Sequence, residues 1–520
     1  MKVTFIVIQN LLQAHGVQIL SSCLKGAGHQ VDQLFLTSSF DATLLDRKID
    51  GALEAVADAD IVGVSVMSNH VPLARRLSRR LRSELHKIVV WGGVHPTVMP
   101  EECVEEADYI VRGEAERSLL QLLDCIERGT DPLEEDIPGL YSARHAALGG
   151  QVAAPSRVED LDQLPLPDID LDTQFYIPVD ECEVQPITPE AFRESGFPKG
   201  SYAVMVSRGC PYACAYCINS FVNALYKGTP RVRYRSPARV IAELERARAR
   251  LGAQSIRIDD DAFMSMPISR MREFCELYKE RIGLPLYNFG ASLSPRDITE
   301  EKMEPLLDAG MVYMRLGVQS ASESTRKMYN RRGSIEDMRQ AVSVLEKFQS
   351  RMEPPTYDII VDNPWETEIE YTCTLRFLAR LPRPFRLFVY SLTFFPGTPL
   401  FRKAVEEGLI ADVEQDIYNK YMNVMNDTYL NELMLLLRDV AREGRRFPPF
   451  LMDLLTSRWL LTAALGKKIA RLLKLIVRVV RRIVRVNHPD DLSGGAILRR
   501  RHVRGLQSER QKRESVVAER

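Results

Sequence analysis

No stretch of this chain reaches the roughly 18 uncharged apolar residues that a membrane-spanning helix needs, so no span is expected. Net charge is scarce too. The 69 Lys and Arg stand against 70 Asp and Glu, a formal charge of -1, which gives no global reason to expect nucleic acid as a partner. A disulfide framework finds little support, because six of the nine cysteines (Cys23, Cys103, Cys125, Cys182, Cys275, Cys373) are scattered singly. The opening Met1 to Gln9 lacks the apolar core of a secretory signal, and a reducing, cytoplasmic setting is the expectation.

The other three thiols are concentrated. Ser207-Arg208-Gly209-Cys210-Pro211-Tyr212-Ala213-Cys214-Ala215-Tyr216-Cys217 sets them at spacing C-x3-C-x2-C, directly after the apolar run Ala203 to Val206, which reads as a buried strand. Three thiolates at this spacing can seat one iron–sulfur cluster. With no fourth cysteine nearby, one iron of a [4Fe–4S] cluster keeps an open position, as a three-ligand zinc keeps one for water. A structural zinc knot and incidental buried thiols are the alternatives, but structural zinc wants four ligands and the nearest histidines and other cysteines are far off in sequence.

At these residues the chain resembles the radical S-adenosylmethionine (SAM) superfamily, whose signature is this spacing with an aromatic, here Tyr216, before the last cysteine. The resemblance implies that Cys210, Cys214 and Cys217 hold a [4Fe–4S] cluster and carry catalysis. SAM would chelate the open iron, and one electron, from a donor such as flavodoxin or ferredoxin, would cleave it to a 5′-deoxyadenosyl radical.

At 520 residues about three domains are expected. Residues 1–130 alternate β-branched runs (Val3 to Ile8, Val31 to Leu36, Ile61 to Val66, Ile88 to Trp91, Tyr109 to Val111) with amphipathic stretches. Five such units predict an open, doubly wound α/β sheet, flavodoxin- or Rossmann-like, with its ligand at the strand carboxyl ends. Those ends carry Ser65-Val66-Met67 and Gly92-Gly93-Val94-His95, with Arg112-Gly113-Glu114 after the fifth strand. Ahead of a radical SAM motif, this half resembles the cobalamin (B12)-binding domain of B12-dependent radical SAM enzymes. The resemblance implies that Ser65, Met67, Gly92, Gly93 and Glu114 contact cobalamin, the glycines by admitting the ligand close to the backbone. His15 sits in Leu12-Gln13-Ala14-His15-Gly16-Val17, without the Asp and trailing Gly of the D-x-H-x-x-G motif, and is read as a loop or helix-start histidine rather than a cobalt ligand.

Residues 131–200, rich in Pro and Asp, read as an extended connector. From 201 to 405 six strand–helix units, with strands near Ala203, Ile256, Tyr287, Tyr313, Tyr357 and Leu387, predict a partial (β/α)6 barrel with its chemistry at the strand carboxyl ends. By the same resemblance Asp260 and Asp261 receive the SAM ammonium, Ser292 and Arg296 bind its carboxylate, Gln319 and Ser320 in Gly317-Val318-Gln319-Ser320 take the ribose, and Val361 flanks adenine. Residues 406–461 read as a helical region.

Residues 462–520 read as a basic amphipathic helix and a disordered tail. From Lys467 to Arg485 basic residues recur at steps of four and three (Lys467, Arg471, Lys474, Arg478, Arg481, Arg485), with Ile, Leu and Val opposite and no acid. Such a helix suits an anionic membrane surface; a helix docked on the protein and a nucleic-acid contact are the other readings. A peripheral membrane location, and with it a lipid rather than a soluble small-molecule substrate, is the corresponding expectation. The function expected is methylation of an unactivated carbon by way of methylcobalamin. A B12-dependent cyclase or rearrangement enzyme is the alternative, and a corrinoid- or membrane-binding protein with degenerate catalysis is the non-enzymatic one.

Overall fold

The computed structural model describes residues 1–37, 42–149, 154–292, 295–420, 422–485 and 496–497. They fall into two compact units, one of Met1–Gly290, Glu301–Val312 and Phe394–Asn419, the other of Ala291–Glu300, Tyr313–Thr393 and Lys420–Arg520.

The first unit begins with strands β1 (Lys2–Ile8), β2 (Gln30–Leu36), β3 (Ile61–Ser65), β4 (Ile88–Gly92) and β5 (Tyr109–Val111), at the places the β-branched runs predict. They alternate with helices such as His15–Gly26 and Val71–Glu84, and lie in the order β5-β4-β3-β1-β2, all parallel. Helices on both faces explain why the strands read as continuous apolar runs, and each Val or Ile they bury contributes about 1.5–3 kcal/mol. The sheet is wider than the five strands expected. β6 (Leu140–Tyr141), β7 (Gln174–Ile177) and β8 (Gln185–Pro186), all from the stretch read as a connector, extend its edges, and β6 and β8 pair antiparallel. Short edge strands of this kind close off unpaired backbone. Asp168 fastens the same stretch to the sheet domain, accepting from Ser21 Oγ at 2.6 Å and Gln33 Nε2 at 3.0 Å and facing Lys25 Nζ at 2.8 Å.

His95 is fully buried in this unit, edge-on to the Tyr418 ring at 5.3 Å, with Nδ1 3.3 Å from Ser68 Oγ. Burial, helped by the charge of Arg75, pushes its pKa down to about 4. The folded protein keeps this ring neutral while the unfolded chain protonates below about 6.5, so the associated stability is full above that pH and is lost as pH falls toward 4. His95→Gln is expected to remove about 2–3 kcal/mol of the stability loss between pH 6.5 and 4, read by urea denaturation across that range.

Further strands follow in the first unit: β9 (Ser201–Val204), the short β10 (Ser207–Arg208) and β11 (Arg233–Tyr234), which pair antiparallel, then β12 (Ser255–Ile258) and β13 (Leu286–Ser292). β12 lies between β9 and β13, parallel to both. In the second unit β15 (Thr356–Val361) lies between β14 (Met311–Gln319) and β16 (Arg386–Ser391), again parallel. All six strands predicted for the barrel are therefore present, each followed by helix.

The helix Ala464–Arg485 differs from the picture of a solvated basic face. Arg478 and Arg481 bind Glu432, Arg481 also reaches Asp439, and Lys474 and Arg478 bind Asp427, at 2.6–3.1 Å. Glu432 and Asp439 belong to the helix Tyr429–Arg442 and are themselves buried. The acids missing from the basic helix are supplied by its neighbour. Leu465, Leu472, Leu475, Ile476, Val479 and Val480 face outward instead. The tail expected to be disordered lies, apart from Ala496 and Ile497, outside the described residues.

Candidate active site

The three-cysteine loop leaves β9 and is shaped before its thiols are reached. Gly209 has φ +93°, and an added Cβ would collide with the Arg231 carbonyl, so only glycine serves here. Asn223 Nδ2 donates to the carbonyls of Cys210 (3.1 Å) and Tyr212 (2.8 Å), and Arg231 Nη1 to that of Pro211 (3.0 Å). Cys210 and Cys214 are buried, Cys217 and Tyr216 partly so. Burial pushes the Cys217 thiol up to about 11 and that of Cys210 further, and Asn219 Nδ2 lies 3.8 Å from Cys217 Sγ. Asn223→Ala is expected to accelerate loss of iron from reconstituted protein roughly tenfold, measured by chelator challenge, because it removes two hydrogen bonds that hold the loop.

The three consecutive aspartates after β12 have separate surroundings. Asp259 pairs with Arg257 at 2.7 Å. Asp260 is buried, with Oδ1 accepting from Val206 N at 2.6 Å and Oδ2 from Ser207 Oγ; burial pushes its carboxyl up to about 7 while these bonds pull it back. Both its oxygens are thus occupied by protein donors. Asp261 opens on a cavity, its carboxyl raised by the protein packed around it and drawn back by Asn219.

That cavity, of about 480 Å³, lies entirely in the first unit. On one side are Ser65, Gly92, Gly93 and Glu114 at the carboxyl ends of the amino-terminal strands; on the other are Arg208, Gly209, Asn219 and Asp261. It runs down between apolar walls that include Phe5, Val64, Val90 and Leu119. Gly93 has φ +103°, and a Cβ there would sit 3.0 Å from the Val66 carbonyl oxygen, so the floor of the slot is bare backbone. A slot with glycine backbone, apolar walls and charged rims fits a large planar corrinoid with a tail. Met67, half exposed, is not on its wall. His15 is, with Nε2 3.7 Å from Glu243 Oε1.

An ion-pair network borders the cavity. Arg233 reaches both oxygens of Glu114, and Arg208, two residues before Cys210, reaches Glu116 at 2.6 Å and Glu114 at 3.6 Å. Tyr226 accepts from Glu114 N at 3.1 Å and donates to the Ser156 carbonyl at 3.1 Å. Sequence reasoning missed Glu116, Arg208, Asn219, Asn223, Tyr226 and Arg233. Only Asn219 and Asn223 carried a signal, two amides one helical turn apart just after the third cysteine.

The remaining predicted residues belong to the second unit. Ser292 ends β13. Arg296 is exposed and pairs with Asp337 at 3.0 Å. Gln319 ends β14 with φ +63°, a conformation costing a non-glycine residue about 1–3 kcal/mol, and its buried Oε1 has no partner among the described residues. Ser320 donates to Glu366 Oε1 at 3.0 Å and lies 3.2 Å from Thr374 Oγ1. Val361 is fully buried at the end of β15.

Residues 1–123 match the B12 binding domain family, and residues 204–378 the Radical SAM superfamily. An uncharacterized methyltransferase of Pyrococcus horikoshii is 25% identical over 374 residues, 71% of this chain and 73% of that one. The anaerobic magnesium-protoporphyrin IX monomethyl ester cyclase of Rubrivivax gelatinosus is 26% identical over 448 residues, 83% of this chain and 73% of that one. The fold matches the radical S-adenosylmethionine methyltransferase TsrM from Kitasatospora setae, solved with tryptophan substrate and a SAM analogue, with TM-score 0.61 at 19% identity over 78% of this chain and 76% of that one. Motif order and domain order agree: a stretch matching a B12-binding domain precedes one matching a radical SAM domain, on a fold like that of TsrM.

Proposed function

We propose that this protein is a cobalamin-dependent radical SAM methyltransferase that methylates an unactivated carbon of a small molecule. The observation that carries the reading is one cavity lined both by Gly92 and Gly93 and by residues flanking the cysteines, Gly209 before them and Asn219 after them. Bound there, the cluster supplies the electron that cleaves SAM, and the corrinoid supplies the methyl group. Cys210, Cys214 and Cys217 hold the cluster; Asn219, Asn223 and Arg231 keep their loop in place. Ser65, Gly92 and Gly93 admit the corrinoid. Asp261, whose carboxylate is open to the cavity, is the better acceptor for the SAM ammonium, Asp260 supporting the loop from behind. Gln319, whose buried carbonyl oxygen has no partner among the described residues, and Ser320 take the ribose, and Val361 flanks the adenine. Arg296, bound to Asp337, must leave that pair before it can take a carboxylate. The electron comes from a small redox protein such as flavodoxin or ferredoxin. Incubation with SAM labelled in its methyl carbon tests the reading: the account expects label in the product and 5′-deoxyadenosine beside it, and unlabelled methylated product contradicts it.

The cyclase relative, aligned over 83% of this chain, favours ring closure as the second reading, in which 5′-deoxyadenosine forms and no methyl is transferred. We also propose that the helix Ala464–Arg485 touches an anionic membrane surface. Its exposed apolar face, with Trp459 and Phe450 exposed nearby and Lys467, Lys468 and Arg471 solvent-facing, supports this. Flotation with phosphatidylglycerol vesicles is expected to fall severalfold for Leu472→Glu with Ile476→Glu; equal flotation contradicts it.

A further inference from the structure

Glu116 follows β5 and enters the turn that starts the helix Ser118–Arg128. It is 6% exposed and lies on the cavity wall. One oxygen, Oε1, takes Arg208 Nη2 at 2.6 Å. The other, Oε2, is buried and has no hydrogen-bond partner among the described residues. Its neighbour Glu114 is different: Arg233 takes Oε1, and Val158 N (2.8 Å) and Arg233 Nη1 (3.0 Å) take Oε2. A carboxylate oxygen can only accept, and a buried one left unmatched keeps its full desolvation penalty. A donor arriving with a ligand would relieve that cost.

We infer that Glu116 Oε2 accepts the N–H of a peripheral carboxamide of the corrinoid. This rests on the cobalamin reading and adds its specificity. The rim of a corrin macrocycle carries acetamide and propionamide arms, neutral groups that each present two N–H donors. An ionised acceptor binds such a donor more strongly than a neutral one does. Against a corrinoid whose arms are carboxylates, the same oxygen meets a like charge and no donor, so it selects for amidated forms. Arg208 fixes the carboxylate through Oε1, and Oε2 is left without a partner among the described residues, on a side chain that lines the cavity.

The test is absorbance titration of the full-length protein with cobinamide, whose arms are amides, and with cobyrinic acid, whose arms are carboxylates. Wild type is expected to prefer cobinamide. Glu116→Ala should weaken cobinamide binding about 10- to 100-fold and shrink that preference. Glu116→Gln keeps the side chain's shape and removes its charge, so it guards against a folding defect; the preference should shrink in it as well. Variants that melt like wild type yet keep its affinity and its preference overturn the inference while leaving the cobalamin reading intact. A wild type that binds neither corrinoid overturns both.

Discussion

Cys214→Ala is expected to reduce 5′-deoxyadenosine formation to background and to leave reconstituted protein without a stable cluster, while its melting temperature before reconstitution stays close to that of wild type. Cys214 is buried in a loop whose shape comes from elsewhere, from Gly209, from Asn223 on two carbonyls and from Arg231 on a third. Removing one sulfur therefore disturbs little of the fold and deletes one of the three proposed ligands. With only two thiolates the cluster has two irons without protein ligands. Cys373→Ala is the matched control. Its thiol is exposed and lies outside the loop, and the account expects iron content and turnover to be unchanged. Iron counts and deoxyadenosine assays on both variants check this; full activity in Cys214→Ala contradicts the ligand assignment.

Arg233→Met is expected to destabilise the first unit by about 3–5 kcal/mol, because it strands the Glu114 carboxylate in a mostly buried position. Arg208, 3.6 Å away, compensates in part but is already committed to Glu116. The pH dependence gives the signature. Burial pushes the Glu114 carboxyl up, and the hydrogen bond and charge of Arg233 together with the charge of Arg208 outweigh it, holding the carboxyl below its usual range. Stability from this pair is thus present above the ordinary carboxylate pKa of about 4.5 and lost as pH falls through and below it. The deficit of Arg233→Met should accordingly be largest near neutrality and shrink at acid pH. Restoring stability with Glu114→Leu on the Arg233→Met background would confirm that the stranded charge is responsible. Urea denaturation at two pH values measures both.

Much of the fold was legible because the strands here are buried on both faces. A β-branched run such as Val3 to Ile8 has no other reading once a helix pattern follows it. The edges were not legible, since β6 and β8 are two residues long and carry no period, and Pro- and Asp-rich sequence signals a loop whether or not it pairs. The site divided in the same way. Cys210, Cys214 and Cys217 stand out by their spacing within one contiguous loop, and Gly92 and Gly93 as a pair at a strand end. Arg208 meets Glu116 and Arg233 meets Glu114 only after folding, across more than 90 residues in each case, and no local pattern marks an arginine as the partner of a particular glutamate. The basic helix was half legible. Its amphipathic period was plain, but which face is covered depended on Glu432 and Asp439, more than 35 residues earlier.

Anaerobic reconstitution with iron, sulfide and hydroxocobalamin, followed by metal and corrinoid counts and a deoxyadenosine assay with SAM and reductant, tests the account most directly. The account predicts about four irons and one corrinoid per chain, with deoxyadenosine formed. Cluster and deoxyadenosine without bound corrinoid would contradict it, leaving the Gly92-Gly93 slot without the ligand on which the methyl transfer depends.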